Sequence, residues 1–423
     1  MKPDFTEVLS LASEAGHILL ENGAEISRVE DIMTRISTYY GVDSGNYFVL
    51  SNGIFTTGQA GKVEKAGGQA STYANVEFIP IRAIQLSRIV AVNRLSYDIS
   101  AGKCSLEQAR ERLGQIRRSK GKPAWELCLA SAFGAAGFSA VFGGGWMDCA
   151  ATFVVGLILY AFVLGFSSRY LSKIVGGICN ALLANVLCIA SYRLGFGSSL
   201  SNIIIGAVMP LIPGVPFVNG VRDLANSDYI AGLTRMTDAM LQFLCIALGL
   251  GIAFILDGWI FGGVMALSGM TINPDTASYL VQFLAAFIGT ASFAILFSAD
   301  RDHYLPAGVI GAAGWMVYLL MLRLGGATPA ISALVATFFV CLLSRFAAVP
   351  YKSPAQVFII CGIFTLVPGA GLFWFTYYLL SEQFALAQST GFTAMKVALA
   401  IVFGIILATE LPQRLFQPLK RRV

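Results

Sequence analysis

Charged and amide side chains cluster at the end of a Pro/Gly-rich interruption in an otherwise apolar segment, MPLIPGVPFVNG at 209–220. The candidate substrate-binding residues in and after this interruption are Asn219, Arg222, Asp223, Asp228, Arg235, Asp238 and Gln242. A guanidinium such as that of Arg222 can bind a carboxylate through two parallel hydrogen bonds. An aspartate can receive an ammonium group or carry a proton. The pattern predicts a binding site for a small charged molecule.

The same stretch also fits a simpler interpretation as a loop at the membrane surface. In that case Arg222 and Asp223 are solvated, and Arg235 only follows the preference of basic residues for the cytoplasmic side. Asp238 and Gln242 lie one helical turn apart and face the same way, so they share an environment in both interpretations.

A second apolar segment is interrupted at the corresponding position, by LVPGAG at 366–371. The helix-breaking residues are Pro213, Gly214 and Pro216 in the first segment and Pro368, Gly369 and Gly371 in the second. Proline removes a backbone donor and kinks a helix, and glycine permits close approach. Because interrupted membrane helices leave helix ends free for ligands, we expect these breaks to take part in binding or gating. A kink without function is the alternative.

The composition identifies the elements that must position these residues. Of the 423 residues, 56% are hydrophobic and 13% charged, and the mean hydropathy is +0.70. Soluble domains carry about 25% charged residues, so the composition indicates an integral membrane protein. Residues 1–122 hold 28 of the 53 charged side chains and have the statistics of a soluble domain. The net charge of +5 requires no nucleic-acid partner, because membrane topology accounts for it.

Ten apolar segments follow Pro123, each long enough to cross about 30 Å of hydrocarbon as a helix. They lie near 124–142, 149–166, 174–192, 199–218, 236–256, 278–298, 304–322, 328–347, 355–375 and 392–411. The stretch 257–277 extends the fifth helix, lies in the interface or is re-entrant. With the N-terminal segment in the cytoplasm, inner loops hold 15 Lys and Arg residues and outer loops three, so we expect both termini to be cytoplasmic.

The ten segments read as two copies of a five-segment unit. A shift of 155 residues places GAAGFSAVF (134–142) on GTASFAILF (289–297) and aligns the five segments of each half. Because five is odd, the second copy enters the membrane from the opposite side, as in alternating-access carriers. We therefore expect a cytoplasmic domain at 1–122, a first membrane repeat at 123–277 and a second at 278–423. A duplicated scaffold or channel is the alternative.

The N-terminal segment predicts a small α+β domain. Its predicted helices lie at 4–20, 24–40, 83–100 and 105–119, and its predicted strands are a hairpin at 47–58 that turns at Asn52-Gly53 and a third strand at 76–81. Glu25, Arg28 and Asp31 share a helix face, which we interpret as solvated and crossed by ion pairs. The only histidines, His17 and His303, are far apart in sequence. We expect no catalytic site, no metal site and no cofactor.

Three stretches resemble the threonine/serine exporter family: ENGAEISRVEDIMTRIS (21–37), SNGIFTTG (51–58) and PGVPFVNGVRDLANSDYIAGLTRMTDA (213–239). Their N-terminal motif residues are Gly23, Arg28, Glu30, Asp31 and Gly53. The resemblance covers essentially the whole chain and implies export of small hydroxy amino acids from the cytoplasm, driven by the proton-motive force. Relatives that look like this chain cut in two are associated with succinate export, so the resemblance implies the carrier class more firmly than the substrate.

The sequence thus predicts a polytopic α-helical membrane protein of the bacterial inner membrane, with about ten transmembrane helices as 5+5 inverted-topology repeats. It would export threonine or serine by proton antiport, with Arg222 on the substrate carboxylate. A C4-dicarboxylate exporter is the alternative and would need Arg235 beside Arg222 as a second cation. A passive channel and a membrane-anchored hydrolase are further alternatives.

The expected partners are the substrate, protons and the lipid bilayer. The sequence leaves open whether the chain forms a homo-oligomer. It also leaves open whether the N-terminal domain gates the cytoplasmic mouth, senses substrate or mediates assembly.

Overall fold

The structure is a computed structural model of the chain, and it is predominantly helical. The residues that it describes are 4–59, 72–79, 84–225, 227–262, 278–412 and 415–416. Within these ranges the chain forms three β-strands and seventeen α-helices. The strands all belong to the N-terminal part, and the long apolar helices follow them.

The N-terminal part combines four helices with one sheet. Its elements are α1 (Phe5–Glu21), α2 (Ile26–Tyr39), β1 (Asn46–Leu50), β2 (Gly53–Gln59), β3 (Thr72–Phe78), α3 (Leu86–Ser100) and α4 (Leu106–Arg118). The helices begin and end within three residues of the predicted positions. β3 begins four residues before the predicted strand at 76–81, because it pairs with β2 along its whole length. Residues 80–83, which belong to that predicted strand and to the start of the next predicted helix, lie outside the described residues.

The sheet is an antiparallel meander in the order β1-β2-β3. Gly53 begins β2 after the hairpin turn, and a Cβ at this position would lie 3.0 Å from the carbonyl oxygen of Glu77. Glycine therefore lets β3 approach the turn closely. On the other side, the hydroxyls of Ser13 in α1 and Thr56 in β2 are 2.9 Å apart. This buried hydrogen bond fixes the first helix on the sheet.

Thirteen further helices make up the membrane part. They are α5 (Ala124–Val141), α6 (Trp146–Phe162), α7 (Ser168–Tyr170), α8 (Lys173–Arg193), α9 (Leu200–Val208), α10 (Gly214–Ala225), α11 (Tyr229–Phe261), α12 (Tyr279–Leu296), α13 (Tyr304–Arg323), α14 (Pro329–Tyr351), α15 (Ala355–Ile363), α16 (Gly369–Leu380) and α17 (Phe384–Thr409). A π-helical turn, Val163–Ser167, joins α6 to α7. Short 3₁₀ turns follow α9 and precede α13.

In the described part of the chain, eight helices are long and apolar enough to cross a membrane, and a bent pair raises the number to nine. The bent pair, Leu200–Leu211 and Gly214–Ala225, turns by 61° and occupies the predicted fourth span. The predicted ninth span divides into α15 and α16, which have 9 and 12 residues. A continuous span needs about 20. The protein is therefore a multi-span helical membrane protein in which two of the ten predicted spans are broken.

The length of α11 decides among the three alternatives for the first residues of the stretch 257–277. This helix has 33 residues and ends at Phe261, where Gly262 adopts a left-handed conformation with φ of 76°. The first residues of the stretch thus extend the fifth predicted helix. Residues 263–277 lie outside the described residues.

The helices of the two halves pack in the same pairs. In the first half α5 packs on α6, and α11 packs on α8 and α10; in the second half α12 packs on α13, and α17 packs on α14 and α16. The short helices α9 and α15 also have corresponding neighbours. The halves meet where α5 crosses α12, and a Cβ on Gly137 would lie only 2.9 Å from the backbone nitrogen of Gly289. Glycine at this crossing brings the two backbones into contact.

The N-terminal part rests on the second half through main-chain hydrogen bonds. The N–H of Leu86 donates to the carbonyl of Phe297 at 2.9 Å, and the N–H of Ser87 donates to that of Ser298 at 3.1 Å. The first N–H groups of a helix have no partner within the helix. Here the loop after α12 supplies partners for the start of α3, and this contact holds the N-terminal part against one end of the helix bundle.

Candidate functional site

The two broken spans touch at their breaks. Pro213 directly precedes α10, Gly214 begins it and Pro216 lies in its first turn, and Pro368, Gly369 and Gly371 hold the corresponding positions at the start of α16. A Cβ on Gly214 would lie 3.0 Å from a ring carbon of Phe364, and one on Gly369 would lie 2.7 Å from Cδ1 of Ile212. The absence of a side chain at both glycines therefore lets the two breaks pack against each other.

A narrow cavity lies beside this contact, and the space in it open to the centre of a water-sized sphere is about 20 Å³. Its polar lining consists of Glu25, Asn219, Arg222 and Gln356. The remaining lining is almost entirely apolar and comes from α10, α15, α17 and the second break. Cavities of this kind, mostly apolar with a few converging polar groups, are typical of small-molecule sites. Both halves and the N-terminal part contribute to it.

Arg222 meets a carboxylate that the N-terminal part supplies. The turn between α1 and α2 contains Gly23 at φ of 85° and ends at Glu25, directly before α2. Nη1 of Arg222 donates to Oε1 of Glu25 in an ion pair. Glu25 is only 5% exposed. The prediction that Glu25 lies on a solvated helix face is therefore wrong, because the turn presents it to α10 rather than to water.

A second buried ion pair lies next to the first. Nη1 of Arg235 is 3.0 Å from Oδ2 of Asp223, and Nη2 of Arg235 donates to the carbonyl of Ala24 at 3.0 Å. Arg235 is 4% and Asp223 3% exposed. Arg235 thus connects α10, α11 and the turn between α1 and α2. Since both charges are buried, each depends on the other for compensation.

Two carboxyl groups at the edge of this cluster have raised pKa values. Burial raises the pKa of Asp228, which directly precedes α11, and the charge of Arg235 opposes the rise. Burial also raises the pKa of Glu30 in α2. The N–H of Val49, which donates to Glu30 at 3.3 Å, lowers that pKa again, whereas the charges of Asp228 and Asp31 raise it. Both carboxyls hold a proton more tightly in the folded protein than in water.

We expect Glu30→Gln to flatten the dependence of stability on pH. The folded pKa of Glu30 lies above its ordinary value of 4.5, so its ionised form is disfavoured in the folded protein. The stability that its protonated form confers is full below the ordinary value and is lost as the pH rises through the raised folded pKa. Glutamine keeps an oxygen for the N–H of Val49 but carries no charge. Melting temperatures of the purified protein in detergent, from about pH 4 to pH 8, measure the effect.

The matched control for this variant is Glu107→Gln, at an exposed position of α4. This change should leave the pH profile as it is in the unmodified protein. If Glu30→Gln showed the same unaltered slope, folding would not raise the pKa of Glu30.

The structure brings together Asn219, Arg222, Asp223, Asp228 and Arg235, and it leaves two predicted residues apart. Asp238 is exposed on α11, and its Oδ2 lies 3.0 Å from Nζ of Lys173 in α8. Gln242 is half-buried on the same helix. Of the predicted substrate-binding residues, only Asn219 and Arg222 line the cavity.

The residues of the N-terminal motif hold the turn and the sheet in place. Gly23 gives the turn its left-handed residue, and Glu30 joins α2 to β1 through Val49. Arg28 is half-buried and Asp31 exposed on α2, and burial lowers the pKa of Arg28. Of these residues, Gly23 lies in the turn that presents Glu25 to the cavity.

Two residues of the cavity were not predicted as site residues from the sequence. Gln356 is the only polar side chain in the helix AQVFIICGI at 355–363, apart from the thiol of Cys361. That isolation is a signal that points to it. Glu25 has no such signal, because it lies 197 positions from Arg222 in the chain. Only the docking of the N-terminal part brings these two together.

Comparison with known proteins is consistent with this architecture. A family model described as putative threonine/serine exporter matches residues 10–257, and a second one described as threonine/serine exporter matches residues 282–411. No solved structure matches the chain significantly. The first match alone spans more than half of the sequence.

Several curated proteins are similar to the chain. The threonine/serine exporter of Corynebacterium glutamicum is 23% identical, over 97% of this chain and 83% of its own length. The probable succinate transporter subunit YjjP of Klebsiella aerogenes is 25% identical, over 61% of this chain and 98% of its own length. The probable threonine/serine exporter of Mycobacterium tuberculosis is 23% identical, over 69% of this chain and 56% of its own length. From the family matches, the chain belongs to the threonine/serine exporter family, a family of membrane transporters rather than enzymes.

Proposed function

We propose that the protein is a secondary active exporter that moves threonine and serine out of the bacterial cytoplasm in exchange for protons. The observation that carries this proposal is Arg222, a guanidinium in a small and mostly apolar cavity beside the contact between two broken spans. Its planar fork suits an α-carboxylate, and the apolar lining suits a small side chain. The similarity to the exporter of Corynebacterium glutamicum supports the substrate class.

We place both termini in the cytoplasm of a cell with this protein in its inner membrane. The excess of basic residues in the loops on that side, 15 against three, supports the orientation. The cavity then lies toward the cytoplasmic ends of α10 and α15, directly below the N-terminal part. A substrate leaving the cell would enter the protein here.

The transport cycle rests on two repeats related by inversion, at 123–277 and 278–423, behind an N-terminal domain at 1–122. The equal pairing of helices in the two halves supports this division, and so does the shift of 155 residues that aligns them. Two such repeats can exchange conformations and open a central site to one face and then to the other. The contact between the two breaks lies where that exchange would occur.

The N-terminal domain acts as the cytoplasmic gate. Glu25 forms an ion pair with Arg222, so its carboxylate lies where a substrate carboxylate would bind. Ala24 is held by Arg235 at the same time. This arrangement corresponds to a conformation that is closed to the cytoplasm. Opening requires Glu25 to leave, and an incoming carboxylate compensates the charge of Arg222.

Asp228 is the group that carries the coupling proton. Of the three acidic candidates, Asp223 is compensated by Arg235, and Asp238 is exposed beside Lys173. Asp228 is half-buried next to the gate, and burial raises its pKa above the ordinary value, although the charge of Arg235 opposes the rise. A group of this kind can bind and release a proton as its surroundings change.

Export of a C4-dicarboxylate such as succinate is the second candidate, and the relative in Klebsiella aerogenes bears a succinate transporter name. A second carboxylate would need a second cation. Arg235 is the candidate, but unlike Arg222 it does not line the cavity, and its guanidinium is paired with Asp223 of the membrane part itself. The geometry therefore favours a substrate with one anionic group.

The proposal is tested with the purified protein in liposomes, by following radiolabelled threonine, serine and succinate with and without an imposed pH gradient. We expect threonine or serine to move and the pH gradient to drive them. Asp228→Asn should remove the response to the gradient, whereas the matched control Asp238→Asn should retain it. Transport of succinate alone would contradict the proposed substrates. Transport at a rate independent of the pH gradient would indicate a channel.

A further inference from the structure

Gln356 is a buried amide without a hydrogen-bond partner. It lies in the first turn of α15 and is 4% exposed. Among the described residues, neither its Oε1 nor its Nε2 has a partner. The same side chain lines the cavity together with Asn219 and Arg222.

An amide in this state is unfavourable by itself. A buried polar group without a partner is destabilising relative to the same group in water, and buried side chains of this type are normally hydrogen-bonded. The neighbours of Gln356 in α15 are apolar, among them Val357 and Phe358, both fully buried. Nothing in the packing of the helix requires an amide here, and the cavity is where a ligand can reach it.

The geometry points to Gln356 as the residue that selects the substrate, by binding the polar group that lies next to its carboxylate. This inference rests on the proposed function, because it takes Arg222 as the carboxylate-binding group. Arg222 lies on α10 of the first half and Gln356 on α15 of the second, on the same cavity. A substrate held by both would bridge the two halves.

The chemistry of the amide defines the ligand class. Oε1 only accepts a hydrogen bond and Nε2 only donates, so the two unpaired atoms together require a ligand with a donor and an acceptor. The amine and hydroxyl of serine or threonine supply both. A second carboxylate supplies acceptors alone and would leave Oε1 facing a negative charge. Gln356 therefore discriminates hydroxy amino acids from dicarboxylates, because a site with unpaired polar groups rejects a ligand that cannot satisfy them.

The test replaces Gln356 with methionine, which has a similar length and no amide. Because the amide has no partner in the protein, Gln356→Met should fold and should melt at an equal or higher temperature without ligand. In liposomes with an imposed pH gradient, its half-saturation concentration for L-threonine should rise roughly tenfold or more. L-valine, which has the shape of threonine but a methyl group for the hydroxyl, should be transported poorly by the unmodified protein and better by the variant, because methionine leaves no unpaired amide to reject it.

Gln282→Met is the matched control, because Gln282 is also a buried glutamine, 1% exposed, but its Oε1 accepts from Nε1 of Trp315 at 2.9 Å. It should lower the melting temperature and leave the half-saturation concentration for threonine unchanged. An unchanged value in Gln356→Met, with transport intact in the unmodified protein, overturns the role of Gln356 and leaves the exporter standing. Absence of threonine and serine movement in the unmodified protein overturns the proposed function and this role with it.

Discussion

Arg222→Gln should abolish gradient-driven movement of threonine, and Glu25→Gln should act in the opposite direction. A hydrogen bond to a charged group contributes about 1.5–3 kcal/mol, so loss of the guanidinium should weaken threonine binding by roughly 10- to 100-fold or more. Glu25→Gln leaves Arg222 without its internal carboxylate in the closed conformation. That conformation becomes less favourable, and the apparent affinity for threonine on the cytoplasmic side should increase.

The measurement is the half-saturation concentration for threonine in liposomes, with substrate added to the side that carries the N-terminal part. Since Arg222→Gln leaves Glu25 buried and uncompensated, the double variant with Glu25→Gln serves as the matched control. It removes both charges, so it should fold as the unmodified protein does and still fail to bind threonine. Equal loss of transport in Glu25→Gln and Arg222→Gln would show that the pair supports the structure and not the gate.

Arg235→Gln should produce the largest loss of stability. Removing one partner of a buried ion pair costs about 3–5 kcal/mol, because the other charge stays buried without compensation. Asp223 is 3% exposed and would be left in that state. Asp223→Asn on its own should be destabilising for the same reason. The double variant replaces two charges with two neutral amides and should recover most of the loss.

Melting temperatures in detergent for the two single variants and the double variant form a cycle that isolates the pair. The control is Asp238→Asn, which removes one partner of an exposed pair with Lys173 at 3.0 Å. Exposed pairs contribute about 0–1 kcal/mol, so the melting temperature should barely change. If the double variant were as unstable as the sum of the single variants, Arg235 would act mainly through the carbonyl of Ala24 and not through Asp223.

The long helices could be predicted from local sequence patterns. An apolar run of about 20 residues has few stable conformations other than a membrane helix, and the predicted hairpin at Asn52-Gly53 follows from the turn residues themselves. The two breaks are also local, because Pro213 and Pro368 cannot continue the hydrogen-bonding ladder. The contact between these two breaks could not be predicted from local patterns, because it depends on how two spans that are distant in sequence cross.

The site was only partly predictable for the same reason. Arg222 and Asp223 attract attention because they directly follow an interrupted apolar segment, where ligand sites tend to form. Their ion-pair partners could not be predicted, because Asp223 and Arg235 lie on two separate helices and Glu25 belongs to the N-terminal part. Asp238 looks equivalent to Asp223 in the sequence, but it lies on the outer face of α11 beside Lys173. The two aspartates differ because each helix turns a different face to its neighbours, and the sequence alone does not give that orientation.

The hydrogen bonds that join α3 to the loop after α12 have a consequence for which substitutions this chain can tolerate. Their donors and acceptors are main-chain groups of Leu86, Ser87, Phe297 and Ser298, and every residue type except proline offers the same donor. Substitution of Leu86 or Ser87 by any residue other than proline therefore keeps the donors of this attachment. The contact over the cavity depends instead on the side chains of Glu25 and Arg222. Two substitutions, at Glu25 and Arg222, can therefore change the contact over the cavity while the N-terminal part stays attached to the helix bundle.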